Sequence, residues 1–208
     1  MSNSITFSHN FCESRLNDNV GPEYFNAVSS LFITAVPLIC GVSIKPDFKK
    51  VGIMLVINGG CSFYYHFTLS WFGKQLDEIT MLMANYYYIN GLLPYCCEIK
   101  TANTNMISNT ILLPIIIAVN TIPQNDIYFP YIFSIYCIPT CFYIVTTAIK
   151  KNLLNEVMLY NLLSIWGAVA WFISEYDCTP LTTYGHIIWH LCFPLGIYKT
   201  LKLYDDAV

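Results

Sequence analysis

Long apolar runs separated by short polar connections dominate the pattern of hydrophobic and polar positions along the chain. A helix needs about 20 apolar residues to cross the hydrocarbon core of a bilayer. Seven runs approach that length, and we assign them to residues 24–44, 51–70, 78–97, 107–123, 128–149, 156–174 and 184–203. Because the connections are short, sequential helices should pack as antiparallel neighbours in one bundle. The pattern therefore predicts an all-α membrane protein with seven transmembrane helices.

Composition agrees with a membrane environment. Only 11% of the 208 residues are charged and 55% are hydrophobic, whereas a soluble domain carries about 25% charged residues. The sequence has no basic stripe of the kind that binds nucleic acid. We expect a single domain over residues 1–208, with 1–23 as an N-terminal segment, 24–203 as the helix bundle and 204–208 as a C-terminal tail.

The ten basic residues divide unequally between the two sides of the predicted bundle. One side receives Lys45, Lys49, Lys50, Lys100, Lys150, Lys151, Lys199 and Lys202. Only Arg15 and Lys74 fall on the other side. Basic residues in short loops stay in the cytosol, so we expect the N-terminus to be outside or lumenal and the C-terminus cytosolic. With six spans, both termini would lie on the same side, and the basic residues would no longer divide eight to two between the sides.

Three of the four histidines lie inside predicted spans. His66 is in "GGCSFYYHFTLS", and "GHIIWH" contains His186 and His190. An ionisable group in a membrane segment costs about 2.5–3.5 kcal/mol on insertion scales, so such groups usually face the bundle interior and mark a function. His186 and His190 are one helical turn apart and share a face. That spacing suits two ligands of one metal ion.

The directions of the spans bring these histidines to one depth. The second span runs outward and the seventh runs inward, so His66, His186 and His190 all lie toward the outer end. Asp77 opens the third span at that end, and Ser62 shares a helix face with His66. Three imidazoles and an open position are typical of catalytic zinc, which activates a bound water. Asp77 could serve as general base, with Ser62 bonded to the water or the oxyanion. The predicted chemistry is metal-assisted hydrolysis of an acyl bond within the membrane.

Simpler interpretations exist for each of these residues. A single histidine in a membrane span most often forms a hydrogen bond between helices. Asp77 and Glu78 are also the first-turn acids that complement a helix dipole. Ser62 follows two glycines, as small packing residues in membrane helices do.

At these residues the sequence resembles the alkaline ceramidase family. The segment "CSFYYHFTLSWFGKQLDEITM" is similar to that family's Ser-x-x-x-His…Gly-Gln-x-Leu-Asp-Glu-x-x-Met pattern, and "YGHIIWHL" to its Gly-His-x-x-Trp-His-Leu. "FCESRLNDNVGPEYFNAVSSL" resembles the family's opening motif. The resemblance implies an amidohydrolase that takes ceramide from the bilayer and releases a sphingoid base and a fatty acid. It implies His66, His186 and His190 as zinc ligands, with Ser62 and Asp77 as catalytic residues.

The same resemblance carries further expectations for the N-terminal segment. It implies a calcium site that uses Asn10, the carbonyl of Phe11, Glu13 and Glu23. Arg15 stands where an asparagine ligand is expected, and a cation there would oppose calcium. Asn17 or Asp18 could take over that role, or Glu13 and Glu23 could simply decorate the start of a helix.

The resemblance also implies a disulfide between Cys12 and Cys178, which a lumenal compartment would permit. An endoplasmic reticulum or Golgi membrane follows from the family in the same way. We expect a monomer by default.

Three other functions are compatible with these residues. Receptors related to the adiponectin and progestin receptors share a serine, an aspartate and three histidines on seven spans, but their basic residues indicate the opposite orientation. A related membrane hydrolase could act on lipid esters. A structural or transport bundle could use the metal without turnover, and a fourth protein ligand would mark such a site.

Overall fold

A computed structural model describes residues 11–18, 21–97 and 129–207. Within these ranges the chain is helical and contains no strand, which confirms the all-α prediction. The helices are α1 (Cys12–Leu16), α2 (Tyr24–Cys40), α3 (Pro46–Thr68), α4 (Trp71–Cys97), α5 (Phe129–Lys151), α6 (Leu154–Tyr176) and α7 (Gly185–Ala207), with a short 3₁₀ turn at Thr182–Tyr184. The predicted span 107–123 and Asn10 lie outside the described residues.

Helices α2 to α7 coincide with the other six predicted spans, but several ends differ. α3 begins at Pro46 and α4 at Trp71, five and seven residues before the apolar runs. Hydropathy misses their first turns because these contain charged residues, Asp47 and Lys49 in α3 and Lys74 in α4. The proline at the first position of α3 also favours the helical backbone. α2 ends at Cys40 because Gly41 adopts a φ of +85°, a conformation that residues with a side chain rarely adopt.

Contacts between the helices fix the direction of each one. α2 and α3 are antiparallel, since Ser30 bonds to Ser62 and Thr34 to Val56. α6 and α7 are antiparallel as well. α4 and α5 instead run parallel: Thr140 bonds to Asn85, and further along both helices Lys150 bonds to the Cys96 carbonyl. Two helices of a bundle run parallel when one further helix lies between them in the chain, as the predicted span 107–123 would between α4 and α5.

Basic side chains gather where α3 begins and where α4, α5 and α7 end. The Lys45 ammonium donates to the Tyr204 carbonyl at 3.3 Å and lies over the Tyr95 ring, as does Lys151. Asp205 of α7 accepts hydrogen bonds from the backbone N–H groups of Ile44 and Lys45. The predicted histidine site lies at the opposite end of these helices.

A close approach between α6 and α7 sets the position of the seventh helix at that opposite end. Gly185, the first residue of α7, lies so near α6 that a Cβ there would come within 2.7 Å of the Ser174 Cβ. Small residues allow such contacts between membrane helices. His186 follows directly, so this contact determines where its ring enters the bundle.

Candidate metal centre

The structure brings together the three histidines of the predicted spans. His66, near the end of α3, meets His186 and His190 from the first two turns of α7. Their potential ligand atoms all lie within 4.8 Å of one another, and each side chain is almost completely buried. Among the described residues, no fourth histidine, cysteine, aspartate or glutamate belongs to this group.

Each imidazole has an oxygen atom facing its Nδ1. His66 Nδ1 lies 2.5 Å from the Glu23 carboxylate, and His190 Nδ1 lies 2.8 Å from the Ser29 hydroxyl. His186 Nδ1 lies 3.4 Å from the Glu175 carboxylate, just beyond a normal hydrogen bond. Histidines that bind metals almost always use one ring nitrogen in this way and leave the other for the ion. The three imidazoles are therefore a donor set that could hold a divalent metal ion through their Nε2 atoms.

Asp77 and Ser62 lie beside this cluster and are bonded to each other. The Asp77 carboxylate accepts hydrogen bonds from the Ser62 hydroxyl and from the Asn58 amide, the latter at 2.9 Å. Ser30 donates to the Ser62 oxygen at 3.0 Å. Asp77 is 8% exposed, and both residues line the same cavity as the histidines. A carboxylate held in this way can exchange a proton with a molecule bound in the cavity.

The cavity that contains the cluster has a volume of about 840 Å³. This lies within the range of about 300–1,000 Å³ typical of ligand pockets. Its walls beyond the polar end are mostly apolar, with Phe133, Trp171, Trp189 and Phe193 among them. Cys137 and Cys141 of α5 also line the cavity, and Thr140 lies between them in the sequence. Thr140 bonds to Asn85 of α4, which is eight residues beyond Asp77 on that helix. At 1.5 Å per residue, the cavity extends about 12 Å from the polar site into the bundle.

Phe11, the residue that precedes α1, packs against two of the three histidines. The Phe11 ring packs on His186 with a centroid distance of 4.6 Å and on His66 at 5.6 Å. A disulfide joins Cys12 to Cys178, with 5.3 Å between their Cα atoms, which confirms the predicted pairing. The N-terminal segment is therefore part of the wall of the site.

The carboxylates that were predicted to bind calcium have protein partners. Glu13 accepts the backbone N–H groups of Phe25 and Asn26, both at 2.9 Å, and so caps the start of α2. Glu23 bonds to His66 and accepts a hydrogen bond from the Ser14 hydroxyl. Burial raises the pKa of Glu13 and the Glu23 carboxylate raises it further, against the lowering effect of the two N–H donors. These contacts match the simpler interpretation of a decorated helix start, and calcium binding stays a prediction.

Several residues of the site were not identified from the sequence. Asn58 was identifiable, because it precedes Ser62 and His66 by four and eight residues on the same face of α3. Lys74 lines the cavity and pairs with Glu78 at 3.0 Å. The sequence pattern assigns no role to Glu175, and the structure places it against both His186 and Arg15. Only the packing of α6 on α7 and α1 reveals that placement.

Comparison with known proteins gives two results. The family model described as Ceramidase matches residues 3–205. The chain is also 27% identical to alkaline ceramidase 1 of Mus musculus, in an alignment that covers 94% of this chain and 79% of the mouse protein. The family match includes all three histidines of the cluster.

Proposed function

The chain belongs to the ceramidase family, and on that premise we propose that it hydrolyses the amide bond of ceramide. The products are a sphingoid base and a free fatty acid. One observation carries the proposal: His66, His186 and His190 converge with Asp77 at the polar end of a long apolar cavity. The name of the mouse relative agrees with this substrate.

We assign the three histidines to a zinc ion. Three neutral imidazoles without a fourth protein ligand form the donor set of a catalytic rather than a structural zinc site. A bound zinc ion would polarise the amide carbonyl and lower the pKa of a coordinated water to about 7. The described cluster has three protein ligands, which favours an enzyme over a metal-stabilised structural bundle.

Asp77 and Ser62 complete the chemistry. Asp77 accepts a proton as the water oxygen forms its bond to the carbonyl carbon. It then delivers that proton to the amide nitrogen as the C–N bond breaks, which releases the amine and leaves the fatty acid. Ser62 orients the Asp77 carboxylate and can donate to the developing oxyanion. Asn58 holds the same carboxylate from the other side.

The substrate reaches this site from the bilayer in our proposal. Phe133–Lys151 and Leu154–Tyr176 are long and apolar enough to cross a membrane, yet only 28% and 22% of an 18-residue apolar stretch in each is buried. The core helix of a soluble protein would be mostly buried, so these exposed apolar faces favour a lipid environment. We propose a seven-span monomer of the endoplasmic reticulum or Golgi membrane, with the histidine end lumenal and the basic end cytosolic.

Calcium is the second ion in the proposal, at Asn10, the Phe11 carbonyl, Glu13 and Glu23. Arg15 does not oppose it directly, because its guanidinium is engaged by Glu175. Calorimetric titration of calcium into the wild type and into Glu13→Gln tests the site. Equal heats for the two proteins would remove calcium from the proposal.

Purified protein in detergent provides the main test. Asp77→Asn should lower the rate of ceramide hydrolysis by about 10²–10⁴-fold, the usual contribution of a general acid–base residue. His186→Ala should remove both zinc and activity, and chelation of the wild type should do the same. Asp47→Asn is the matched control, because Asp47 is a partly exposed acid near the start of α3, paired with Lys50. Wild-type turnover by Asp77→Asn would refute the assignment.

The same assay separates the other candidate functions. Release of fatty acid from a phospholipid ester, but not from ceramide, would indicate the related ester hydrolase. Binding of either lipid without turnover by the zinc-loaded protein would indicate a receptor.

A further inference from the structure

Glu175 joins the candidate metal centre to the N-terminal segment. We propose that Glu175 is a positioning residue that orients His186 for the metal ion, and that α1 holds Glu175 in place. The inference rests on the proposed metal centre. It assigns a function to a carboxylate near the end of α6 that lies outside the predicted set of ligands and catalytic residues.

One carboxylate oxygen faces the histidine. Glu175 Oε1 and His186 Nδ1 lie 3.4 Å apart, and both atoms are buried. Neither atom has a hydrogen-bond partner among the residues that the structure describes. A buried polar atom without a partner costs about 1–3 kcal/mol. A small adjustment that shortens the contact to the normal range of 2.7–3.2 Å and points the Nδ1–H at Oε1 would satisfy both atoms at once.

The other carboxylate oxygen is fixed by α1. Glu175 Oε2 accepts the backbone N–H of Cys12 at 3.0 Å and the Arg15 guanidinium at 3.1 Å. The same guanidinium donates to the Glu175 backbone carbonyl at 2.7 Å. Cys12 is also disulfide-bonded to Cys178, three residues after Glu175. Four bonds therefore hold the end of α6 and the short stretch just after it against α1.

The other two histidines show what the Glu175 contact does. His66 and His190 each have an oxygen within hydrogen-bond distance of Nδ1. Such a partner fixes the tautomer, so that Nδ1 carries the proton and Nε2 presents its lone pair to the ion. For His186, Glu175 is the carboxylate that can provide this contact. Without it, the buried ring would lose its acceptor and the ligand-competent tautomer would be less populated.

Zinc affinity measures this role directly. We would measure it by competition with a chromophoric chelator for the full-length wild type, Glu175→Ala, Glu175→Gln and the control Asp177→Asn. Asp177 is an exposed carboxylate two residues further on. Loss of an outer contact to a ligating histidine typically costs 10–100-fold in metal affinity. We expect that loss for Glu175→Ala, a smaller loss for Glu175→Gln, whose amide oxygen can still accept the Nδ1 proton, and none for Asp177→Asn.

Two further measurements separate positioning from a general effect on folding. Unfolding temperatures in EDTA should be similar for wild type and Glu175→Gln, because that variant keeps the shape of the side chain. The visible absorption bands of the Co²⁺-substituted protein should shift in Glu175→Gln, since the geometry around the ion changes. If Glu175→Ala does not fold, Glu175→Gln alone decides the matter through its affinity and its Co²⁺ spectrum.

The possible failures are distinguishable. A wild type that binds zinc and hydrolyses ceramide, together with Glu175 variants of unchanged zinc affinity and unchanged Co²⁺ spectrum, would overturn this inference alone. A wild type that binds no zinc would overturn the proposed metal centre, and this inference with it.

Discussion

Lys74 is a buried cation in the wall of the cavity. Its ammonium lies 3.0 Å from Glu78 one turn further along α4, and the two side chains are only 7% and 6% exposed. Removal of one partner from a buried ion pair commonly costs about 3–5 kcal/mol, because the remaining charge loses its compensation in an apolar environment. Replacement of both partners by apolar residues is often neutral.

We therefore predict that Glu78→Gln lowers the unfolding temperature strongly, and that Lys74→Met combined with Glu78→Leu restores much of the loss. Thermal unfolding in detergent measures both effects. Asp47→Asn, which breaks the more exposed pair with Lys50, is the control and should change stability by no more than about 1 kcal/mol. Equal effects of Glu78→Gln and Asp47→Asn would contradict the prediction.

Individual residues of the site differ in how far the sequence identified them. His186 and His190 are identifiable from the sequence, because they are one helical turn apart inside an apolar run. The predicted directions of the spans then indicate that His66 lies at the same depth. Glu175 lies near the polar end of its helix, where a carboxylate is unremarkable in any sequence. Its importance depends on the Arg15 and His186 contacts, which join residues 160 and 11 positions apart. Local patterns do not encode such contacts.

Among the secondary-structure elements, the C-terminal end of α7 forms hydrogen bonds with the loop between α2 and α3. The Asp205 carboxylate accepts the backbone N–H groups of Ile44 and Lys45, at 2.9 and 3.1 Å, and pairs with Lys202. Partial burial acts to raise the pKa of Asp205, but these donors outweigh burial and lower it below its ordinary value. Because the folded-state pKa is lowered, the stabilisation is complete above the ordinary aspartate pKa of about 3.9 and is lost as pH falls further.

We predict that Asp205→Asn lowers the unfolding temperature at neutral pH, and that the difference from wild type narrows as pH falls below about 4. Unfolding curves over a range of pH values provide the measurement. Asp206→Asn is the matched control, because that side chain is 69% exposed. A difference that stays constant down to pH 2 would show that the charge on Asp205 is not the source of the stabilisation.

Hydropathy located the helices better than their ends. The apolar runs located the middle and the end of α3 and α4, but both helices begin earlier, in turns that contain the charged residues Asp47 and Lys74. Helix α1 has five residues and was not predicted, because so short a helix forms only through its disulfide and its contacts with α2 and α6. The sequence pattern therefore predicted the long apolar helix segments and missed the segments that are helical only because of tertiary contacts.

For the whole molecule, orientation in the membrane is directly testable. Leu181, 81% exposed, lies at the histidine end, and the exposed Lys151 lies at the basic end. We predict that Leu181→Cys reacts with a membrane-impermeant maleimide only from the lumenal side, and Lys151→Cys only from the cytosolic side. Sealed vesicles of known orientation, before and after permeabilisation, provide the assay. The reverse pattern would support the receptor-like topology.

The disulfide also acts on the whole molecule, since it joins residues 166 positions apart. We predict that Cys12→Ser destabilises the protein by about 2–4 kcal/mol, chiefly because the unfolded chain gains freedom. Thermal unfolding of Cys12→Ser and of the wild type under reducing conditions should give matching losses. Cys141→Ser, which removes an exposed free thiol, is the control. An unchanged unfolding temperature in Cys12→Ser would contradict the prediction.

The division of the histidines along the chain has a consequence for biogenesis. His66 emerges from the ribosome early, whereas His186 and His190 belong to the last helix. Cys12 likewise waits for Cys178 before it can be oxidised to the disulfide. Loading of the proposed metal ion and oxidation of the two cysteines would therefore both be late events in the maturation of this protein. A nascent chain arrested before α6 ends would contain neither the complete histidine cluster nor the cross-link, however well its first helices had folded.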